Sequence, residues 1–205
     1  MKSKIKVFAS FCLMVGICLL VGCGAKSEPI GKMAGVEGKV DVKPASSEAF
    51  ALATVQQQVF TGDSIRTSDE AKAEIQLTSD DSRIVLSSNT YLEVRNFSEK
   101  DLRQMSGIAV YKISPQNKEL KIHTPSGMAT VLGTTLRIDV SDKETIVSVE
   151  EGKVGFSKKP GHQVFIESGK QYSSAAADDT IINIDPLELE KLFGSGNLAP
   201  IINPR

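Results

Sequence analysis

Residues 147–156, Val-Ser-Val-Glu-Glu-Gly-Lys-Val-Gly-Phe, contain the pattern that decides the fold. Val147 and Val149 alternate with polar residues, and Val154 and Phe156 resume the alternation after the turn-forming pair Glu151-Gly152. A period of two is typical of strands that bury one face, and a glycine between two such runs is typical of a turn. The stretch therefore predicts two strands joined at Gly152.

The same alternation recurs along the chain from Val36 onward. Further apolar sets with this spacing are Val40/Val42, Ala73/Ile75/Leu77, Ile84/Leu86, Leu92/Val94, Leu120/Ile122, Leu136/Ile138/Val140 and Val164/Ile166. Many short strands with few helical stretches predict an all-β fold, a stack of strands arranged either as a β-sandwich or as a twisted, β-helix-like stack. The polar residues 98–106 interrupt the pattern and are expected to form a loop or a single helical turn.

One short helix is predicted near the C-terminus. Asp185 suits the N-cap, Pro186 the first helical position and Gly194 the end of the helix. Leucines at 187, 189 and 192 and Phe193 give this helix an apolar side. We expect that side to pack against the β core.

A weak internal repeat accompanies the strand pattern. Glu37-Gly38-Lys39-Val40 recurs as Glu151-Gly152-Lys153-Val154, and residues 106–110 around Gly107 have the same shape. Each glycine is expected to supply a turn with positive φ before a strand. The repeat indicates either a stack of similar strand–turn units or coincidence, because this short pattern arises easily in β proteins.

The N-terminus carries the features of a bacterial lipoprotein signal. Three lysines within the first six residues precede an uncharged run over residues 7–22, which is shorter than the ~20 residues of a membrane-spanning helix. Leu20-Val21-Gly22-Cys23 then resembles a lipobox. Residues 1–22 are therefore expected to be a lipoprotein signal peptide, with Cys23 acylated by palmitate-type chains that form a membrane anchor. An ordinary signal peptide or an N-terminal anchor helix is the alternative.

Composition narrows the domain organisation and the partners. Without residues 1–22 the chain keeps 21 basic residues against 25 acidic ones and has no basic block, which argues against nucleic acid as a partner. Cys12 and Cys18 would leave with the signal, so no cysteine remains for disulfides. We expect a tether at 23–35, a β domain at 36–175 and a C-terminal extension at 176–205. Gly24 after the lipobox favours the outer over the inner membrane.

The search for catalytic, cofactor and metal sites in the sequence gives none. His123 and His162 lack the spacing of a zinc motif and are interpreted as strand-end and turn residues. The acid pairs 80–81 and 178–179 fall in turns, and calcium needs six to eight oxygen ligands. Gly133-Thr134-Thr135 is interpreted as a tight bend in which threonine hydroxyls bond the turn backbone.

Several ordered motifs together resemble the FecR-like domain family. The motifs are Gly62-Asp63-Ser64-Ile65-Arg66-Thr67, Thr124-Pro125, Val131-Leu132-Gly133-Thr134 and Val149-Glu150-Glu151-Gly152-Lys153-Val154. The resemblance spans about residues 36–172 and implies an extracytoplasmic β module that serves as a scaffold or contacts proteins. It assigns structural roles to Gly62, Asp63, Thr67, Thr124, Pro125, Gly133, Thr134 and Gly152, and no catalytic role. Where family members usually have Asp-Gly-Ser, this chain has Asp80-Asp81-Ser82.

The resemblance does not carry the family's best-known function with it. Its regulators look like a cytoplasmic σ-binding region and one membrane span placed before this domain, and here a lipid signal is expected in place of both. The leading interpretation is a non-enzymatic, envelope-anchored lipoprotein whose FecR-like domain is a protein-binding or scaffold module. The alternative is a surface-exposed protein that binds glycan, peptidoglycan or host matrix. A hydrolase would require His123 to cluster with Asp and Ser side chains.

Overall fold

The computed structural model describes residues 28–78, 80–96 and 100–194. The predicted signal peptide, Cys23 and the chain beyond residue 194 lie outside the described residues. Within the described ranges, no helix is both long enough and apolar enough to cross a membrane.

The described chain forms seventeen strands and one helix. They are β1 Gly31–Glu37, β2 Val40–Lys43, β3 Ala51–Leu52, β4 Gln58–Val59, β5 Ser64–Thr67, β6 Lys72–Leu77, β7 Arg83–Leu86, β8 Tyr91–Asn96, β9 Asp101–Ile113, β10 Leu120–Thr124, β11 Gly127–Val131, β12 Thr134–Val140, β13 Thr145–Glu151, β14 Lys153–Lys159, β15 His162–Glu167, β16 Lys170–Ser173, β17 Ile181–Asn183 and α1 Pro186–Phe193. The prediction of an all-β fold with a short C-terminal helix is confirmed.

The strands form two layers that share the long strand β9. Sheet A has the order β4-β1-β6-β7-β9-β12-β13-β16-β17. Sheet B has the order β3-β2-β5-β8-β9-β10-β11-β14-β15. Every pairing is antiparallel except that of β9 with β10. Residues 101–106 of β9 lie in sheet B, and residues 107–113 lie in sheet A.

One hydrophobic core fills the space between the two sheets. Alternate residues of β6 in sheet A and of β10 in sheet B are buried, as the period of two predicted. Phe156 of sheet B packs on Tyr172 of sheet A, with ring centroids 5.4 Å apart. Of the two arrangements expected from the sequence, the structure is therefore the β-sandwich.

The repeated glycines lie where the chain passes from one sheet to the other, positions that we call corners. Gly38 lies between β1 and β2, Gly107 lies within β9, and Gly152 lies between β13 and β14. Their φ values are +69°, +79° and +88°. The predicted positive φ is confirmed, because glycine has no Cβ to oppose this conformation.

Two predictions about segment boundaries are wrong. The segment 98–106 was expected to be a loop or helical turn, whereas its residues from 101 onward belong to β9. The fully buried Gln104 occupies an inward position there and hides the apolar alternation. The tether was expected to reach residue 35, but β1 begins at Gly31, pairs with β6 and buries Met33 completely.

The C-terminal helix has the predicted ends. The Asp185 carboxylate accepts a hydrogen bond from the Leu187 amide at 2.9 Å, Pro186 opens the helix and Gly194 follows it. A smaller part of the helix packs against the β core than the sequence predicts. Phe193 is buried, whereas the Leu187 side chain is 69% exposed. The helix therefore contacts the sandwich through its last turn.

Candidate functional site

The Gly62-Asp63 motif holds two loop segments beside the start of β5. One oxygen of the buried Asp63 carboxylate accepts from the Ala45 amide at 3.0 Å, and the other accepts from the Phe60 amide at 2.9 Å. Gly62 has a φ of +91°, and a Cβ there would lie 2.6 Å from the Ala45 Cβ. Both residues are therefore occupied by internal contacts.

Thr67 ends β5 and fixes the turn between β7 and β8. Its hydroxyl accepts a hydrogen bond from the Thr90 amide at 2.9 Å and donates to the Ser87 carbonyl at 2.5 Å. Because the residue is buried, these bonds replace hydration that the hydroxyl and the turn backbone lose.

Thr124 and Pro125 form the tight connection between β10 and β11. The Thr124 hydroxyl donates to the Gly127 carbonyl at 3.0 Å and accepts from the Thr145 hydroxyl at 3.0 Å. The hairpin packs closely on β14, because a Cβ on Gly127 would lie 2.5 Å from the Ser157 carbonyl oxygen.

Gly133, Thr134 and Gly152 meet at the third corner. The Thr134 hydroxyl donates to the Lys153 carbonyl at 3.3 Å. A Cβ on Gly152 would lie 2.8 Å from the Gly133 carbonyl oxygen, and a Cβ on Gly133 would lie 2.7 Å from the Cα of Pro115. The bend predicted at Gly133 thus packs directly against the turn predicted at Gly152.

The eight motif residues occupy separate turns and corners. The hydrogen bonds described above do not gather them around a common pocket. Only the set at the third corner comes from motifs that are distant in sequence. Their polar groups are used in internal hydrogen bonds, which is the arrangement of a structural framework.

The paired acids are likewise engaged within the fold. Asp80 accepts from the Ser82 amide at 2.8 Å, and Asp178 accepts from the Thr180 hydroxyl at 2.5 Å. A shallow depression of about 380 Å³ is lined by Lys32, Gln76, Leu77, Thr78, Asp80 and Asp81. Across the ranges that the structure describes, no group of three or more His, Cys, Asp or Glu side chains is placed to hold a metal ion.

Asp179 anchors the loop between β16 and β17. Its carboxylate accepts from the Tyr172 hydroxyl at 2.7 Å and lies 3.0 Å from the Lys158 ammonium. These hydrogen bonds, that of Tyr172 above all, lower the pKa of Asp179, while burial raises the pKa of Tyr172. Lys158 also donates to the Ala176 carbonyl at 3.0 Å, so the cluster fastens the loop to β14.

The two histidines lie apart from each other at carboxylates. The Nε2 atom of His123 lies 3.2 Å from Asp101, and Nδ1 of His162 lies 3.6 Å from Asp179. Among the described residues, neither contact includes a serine hydroxyl of the kind that a hydrolytic triad requires.

A buried polar pair at the centre of the sandwich was not predicted. Gln104 donates to the Ile138 carbonyl of sheet A at 3.1 Å and accepts from the Tyr111 hydroxyl at 3.0 Å. It also donates to the Gly107 carbonyl at 2.9 Å, so both halves of β9 are bonded across the corner. Burial raises the pKa of Tyr111, which keeps this phenol protonated as a donor. One feature of the sequence could have indicated this pair. The period of two continues through the segment if Gln104 is counted among the inward-facing residues.

The comparisons with known proteins agree with the motifs. Residues 63–155 match the family model described as FecR protein, which agrees with the resemblance predicted from the motifs. No curated protein matches the chain closely enough to count as a relative.

Two crystal structures from Parabacteroides distasonis, both described as a "putative anti-sigma factor", have a similar fold, with a TM-score of 0.52 and 18% sequence identity. The similarity covers 62% of this chain and 63% and 62% of the two neighbours, so this chain spans less than two thirds of their length. At this identity the likeness concerns the fold alone.

Proposed function

We propose that the protein is an envelope-anchored lipoprotein whose FecR domain binds another envelope protein and performs no catalysis. The observation that carries the proposal is the use of the motif side chains. The carboxylate of Asp63 and the hydroxyls of Thr67, Thr124 and Thr134 are all occupied by internal hydrogen bonds. A domain built this way offers its exposed surface and strand edges to a partner, which is a common mode of peptide recognition.

The anchoring part of the proposal is supported by the sequence Leu20-Val21-Gly22-Cys23. More than one acyl chain on Cys23 would give stable attachment, because each buried methylene contributes about 0.8 kcal/mol. Gly24 supports the outer membrane as the location. An anti-σ activity like that in the description of the two crystal structures is not part of this proposal, because acylation of Cys23 would place the domain outside the cytoplasm, where σ factors act.

Metabolic labelling with an alkyne fatty acid tests the anchor. The full chain should incorporate label and sediment with outer-membrane vesicles, whereas Cys23→Ala should remain unlabelled. Cys23→Ser is the matched control, since it changes only one atom of the side chain. Labelling that persists in both variants would contradict the anchor.

Crosslinking in living cells tests the binding role. A tagged full chain should yield a reproducible conjugate with one envelope protein. The same tag on the Asp63→Ala variant, in which the Ala45 and Phe60 amides lose their acceptor, should yield less of it. Recovery of the tagged chain without any consistent conjugate would overturn the binding role, and hydrolytic turnover by the purified chain would overturn its non-enzymatic character.

A further inference from the structure

The two sheets end in strands of unequal length. Sheet A ends at β4 and β17, which have two and three residues, and sheet B ends at β3 and β15, which have two and six. Natural proteins protect sheet edges by making them short or by placing lysine or proline in them. β15, with the sequence His-Gln-Val-Phe-Ile-Glu, is long and has neither residue.

The backbone groups on the outer edge of β15 follow from its pairing with β14. The Ser168 amide donates to the Gly152 carbonyl at 3.1 Å, which makes that pair a hydrogen-bonded one. Hydrogen-bonded pairs alternate along an antiparallel ladder, so Ile166 and Val164 bond to β14. Gln163, Phe165 and Glu167 therefore direct their amide and carbonyl groups away from the sheet.

The side chains of β15 divide between core and solvent. Ile166 is buried and Val164 is partly buried against the core. Phe165 lies on the opposite face and is 52% exposed, with the Lys153 ammonium 4.4 Å from its ring centroid. A large aromatic side chain thus lies beside a strand edge with which no other described strand pairs.

We propose that this edge pairs with the same edge of a second copy of the chain, antiparallel and around a two-fold axis at Phe165. Phe165 then lies opposite its counterpart, and Gln163 lies opposite Glu167 in both directions. The register uses every free amide and carbonyl of Gln163, Phe165 and Glu167, which gives about six backbone hydrogen bonds across the axis. A slip to a centre at Val164 would leave about four.

Side-chain chemistry favours the same register. The two phenylalanine rings would cover each other, and aromatic cross-strand pairs stabilise antiparallel sheets. The Gln163 amide would face the Glu167 carboxylate, and no like charges would lie directly opposite each other. A slip by a single residue would place Phe165 opposite inward residues and is excluded by the pleat.

The expected association is weak in dilute solution. Pairing along one six-residue strand buries less than the roughly 1,200 Å² typical of stable interfaces. Confinement of both copies to one membrane would raise their effective concentration, yet the pairing itself does not require acylation of Cys23.

Disulfide trapping in the full chain tests the pairing. Phe165→Cys should form a disulfide-linked dimer at least about five times faster than Ile182→Cys, because hydrogen-bonded partners have Cα atoms ~5.5 Å apart, within disulfide range. Ile182 is the matched control, since it is 54% exposed and lies on the short edge strand β17. The parent chain sets the background. Equal rates for the two variants, or conjugates of Phe165→Cys with another protein only, would overturn the proposal.

A mixed experiment tests the register. Gln163→Cys and Glu167→Cys should crosslink to each other when co-expressed, and each should crosslink poorly to itself. Equal self-crosslinking at both positions would contradict the two-fold axis at Phe165.

A blocking substitution provides an independent measurement. Phe165→Lys places two like charges on the axis and should abolish self-association in sedimentation at high concentration, whereas Phe165→Tyr should retain it. Far-UV circular dichroism checks that both variants keep the fold. Unchanged association of a folded Phe165→Lys variant would refute the pairing.

Discussion

The two copies of Glu-Gly-Lys-Val build the same kind of corner in different surroundings. Gly38 and Gly152 both pass the chain from sheet A to sheet B, with φ values of +69° and +88°. A Cβ on Gly38 would lie 3.0 Å from the Cα and 3.1 Å from the Cβ of Ala71, whereas a Cβ on Gly152 would lie 2.8 Å from the Gly133 carbonyl oxygen.

The difference shows that a short sequence specifies the turn and that the neighbouring chain sets its tolerance to substitution. Beside Gly38 stand the Cα and Cβ of Ala71 and, at 3.2 Å from the added Cβ, the Glu70 carbonyl oxygen, so every contact is at 3.0 Å or more. Beside Gly152 lie the carbonyl oxygen of Gly133 and the residue Thr134, whose side-chain hydroxyl donates a hydrogen bond to the Lys153 carbonyl. The corner at Gly152 should therefore accommodate an added Cβ less well than the corner at Gly38.

Among the three corners, the middle one at Gly107 should lose the most stability when alanine replaces its glycine. A Cβ on Gly107 would lie 2.5 Å from the Asn89 carbonyl oxygen and from two atoms of Thr90. Gly107→Ala should lower the free energy of unfolding by about 4 kcal/mol, measured by urea unfolding with far-UV circular dichroism. The control is Gly161→Ala, where φ is +82° and nothing lies within 4 Å. It should lose only about 1 kcal/mol. Similar losses for both variants would show that φ alone sets the cost.

The direct test of the comparison substitutes both repeat glycines. Gly152→Ala should lose about 3 kcal/mol of unfolding free energy and Gly38→Ala about 2 kcal/mol, because both adopt positive φ and only the former meets a backbone oxygen closer than 3.0 Å. Urea midpoints of the two variants, measured side by side, provide the comparison. A larger loss at Gly38 would reverse the interpretation of the two corners.

The hydrogen bonds next to the corners should have intermediate effects. Asp63→Ala leaves the Ala45 and Phe60 amides without their acceptor and should lose about 2–3 kcal/mol. Thr134→Val removes one hydrogen bond of 3.3 Å and should lose about 1 kcal/mol. Asp63→Asn, which retains one acceptor oxygen, should fall between them in thermal unfolding. Equal losses in all three variants would show that packing rather than hydrogen bonding dominates at these turns.

The smallest expected effect is the response to acid of the loop between β16 and β17, which Asp179 attaches to β14. The Tyr172 and Lys158 hydrogen bonds lower the pKa of Asp179 below its ordinary value of 3.8. Its stabilising contribution is therefore complete above that value and is lost as the pH falls through the lower folded value. NMR signals of the Tyr172 ring should shift in this acid range while the sandwich stays folded. Asp179→Asn should remove the transition, and a transition that persists in that variant would assign it to another group.

The sequence predicted much of this fold because most strands bury one face. The segments with alternating apolar residues form strands, and the cap residues Asp185 and Gly194 mark the two ends of the helix as expected. The failures have local causes: Gln104 is polar at an inward position, and the Gly-Lys composition around Met33 resembles a tether. In both places the pairing of distant strands outweighs local composition.

The motif residues show the same difference between what local sequence predicts and what distant contacts decide. Their positions were evident in the sequence, and the structure adds what each one contacts. That the Asp63 carboxylate bonds Ala45 and Phe60, or that Gly133 lies on Pro115, has no signature in the sequence, because these partners belong to turns without any regular spacing.

By itself, the sequence determined the strands, the glycine turns, the helix ends and the FecR resemblance, because all of these depend on residues that are close together in the chain. Only the tertiary structure decided between a sandwich and a helix-like stack, placed the backbone of Gly133 against Gly152, and made β15 the longest edge strand of the described sheets. Those outcomes depend on pairings such as β1 with β6 and β9 with β12, in which residues far apart must bury two sheet faces against each other at once.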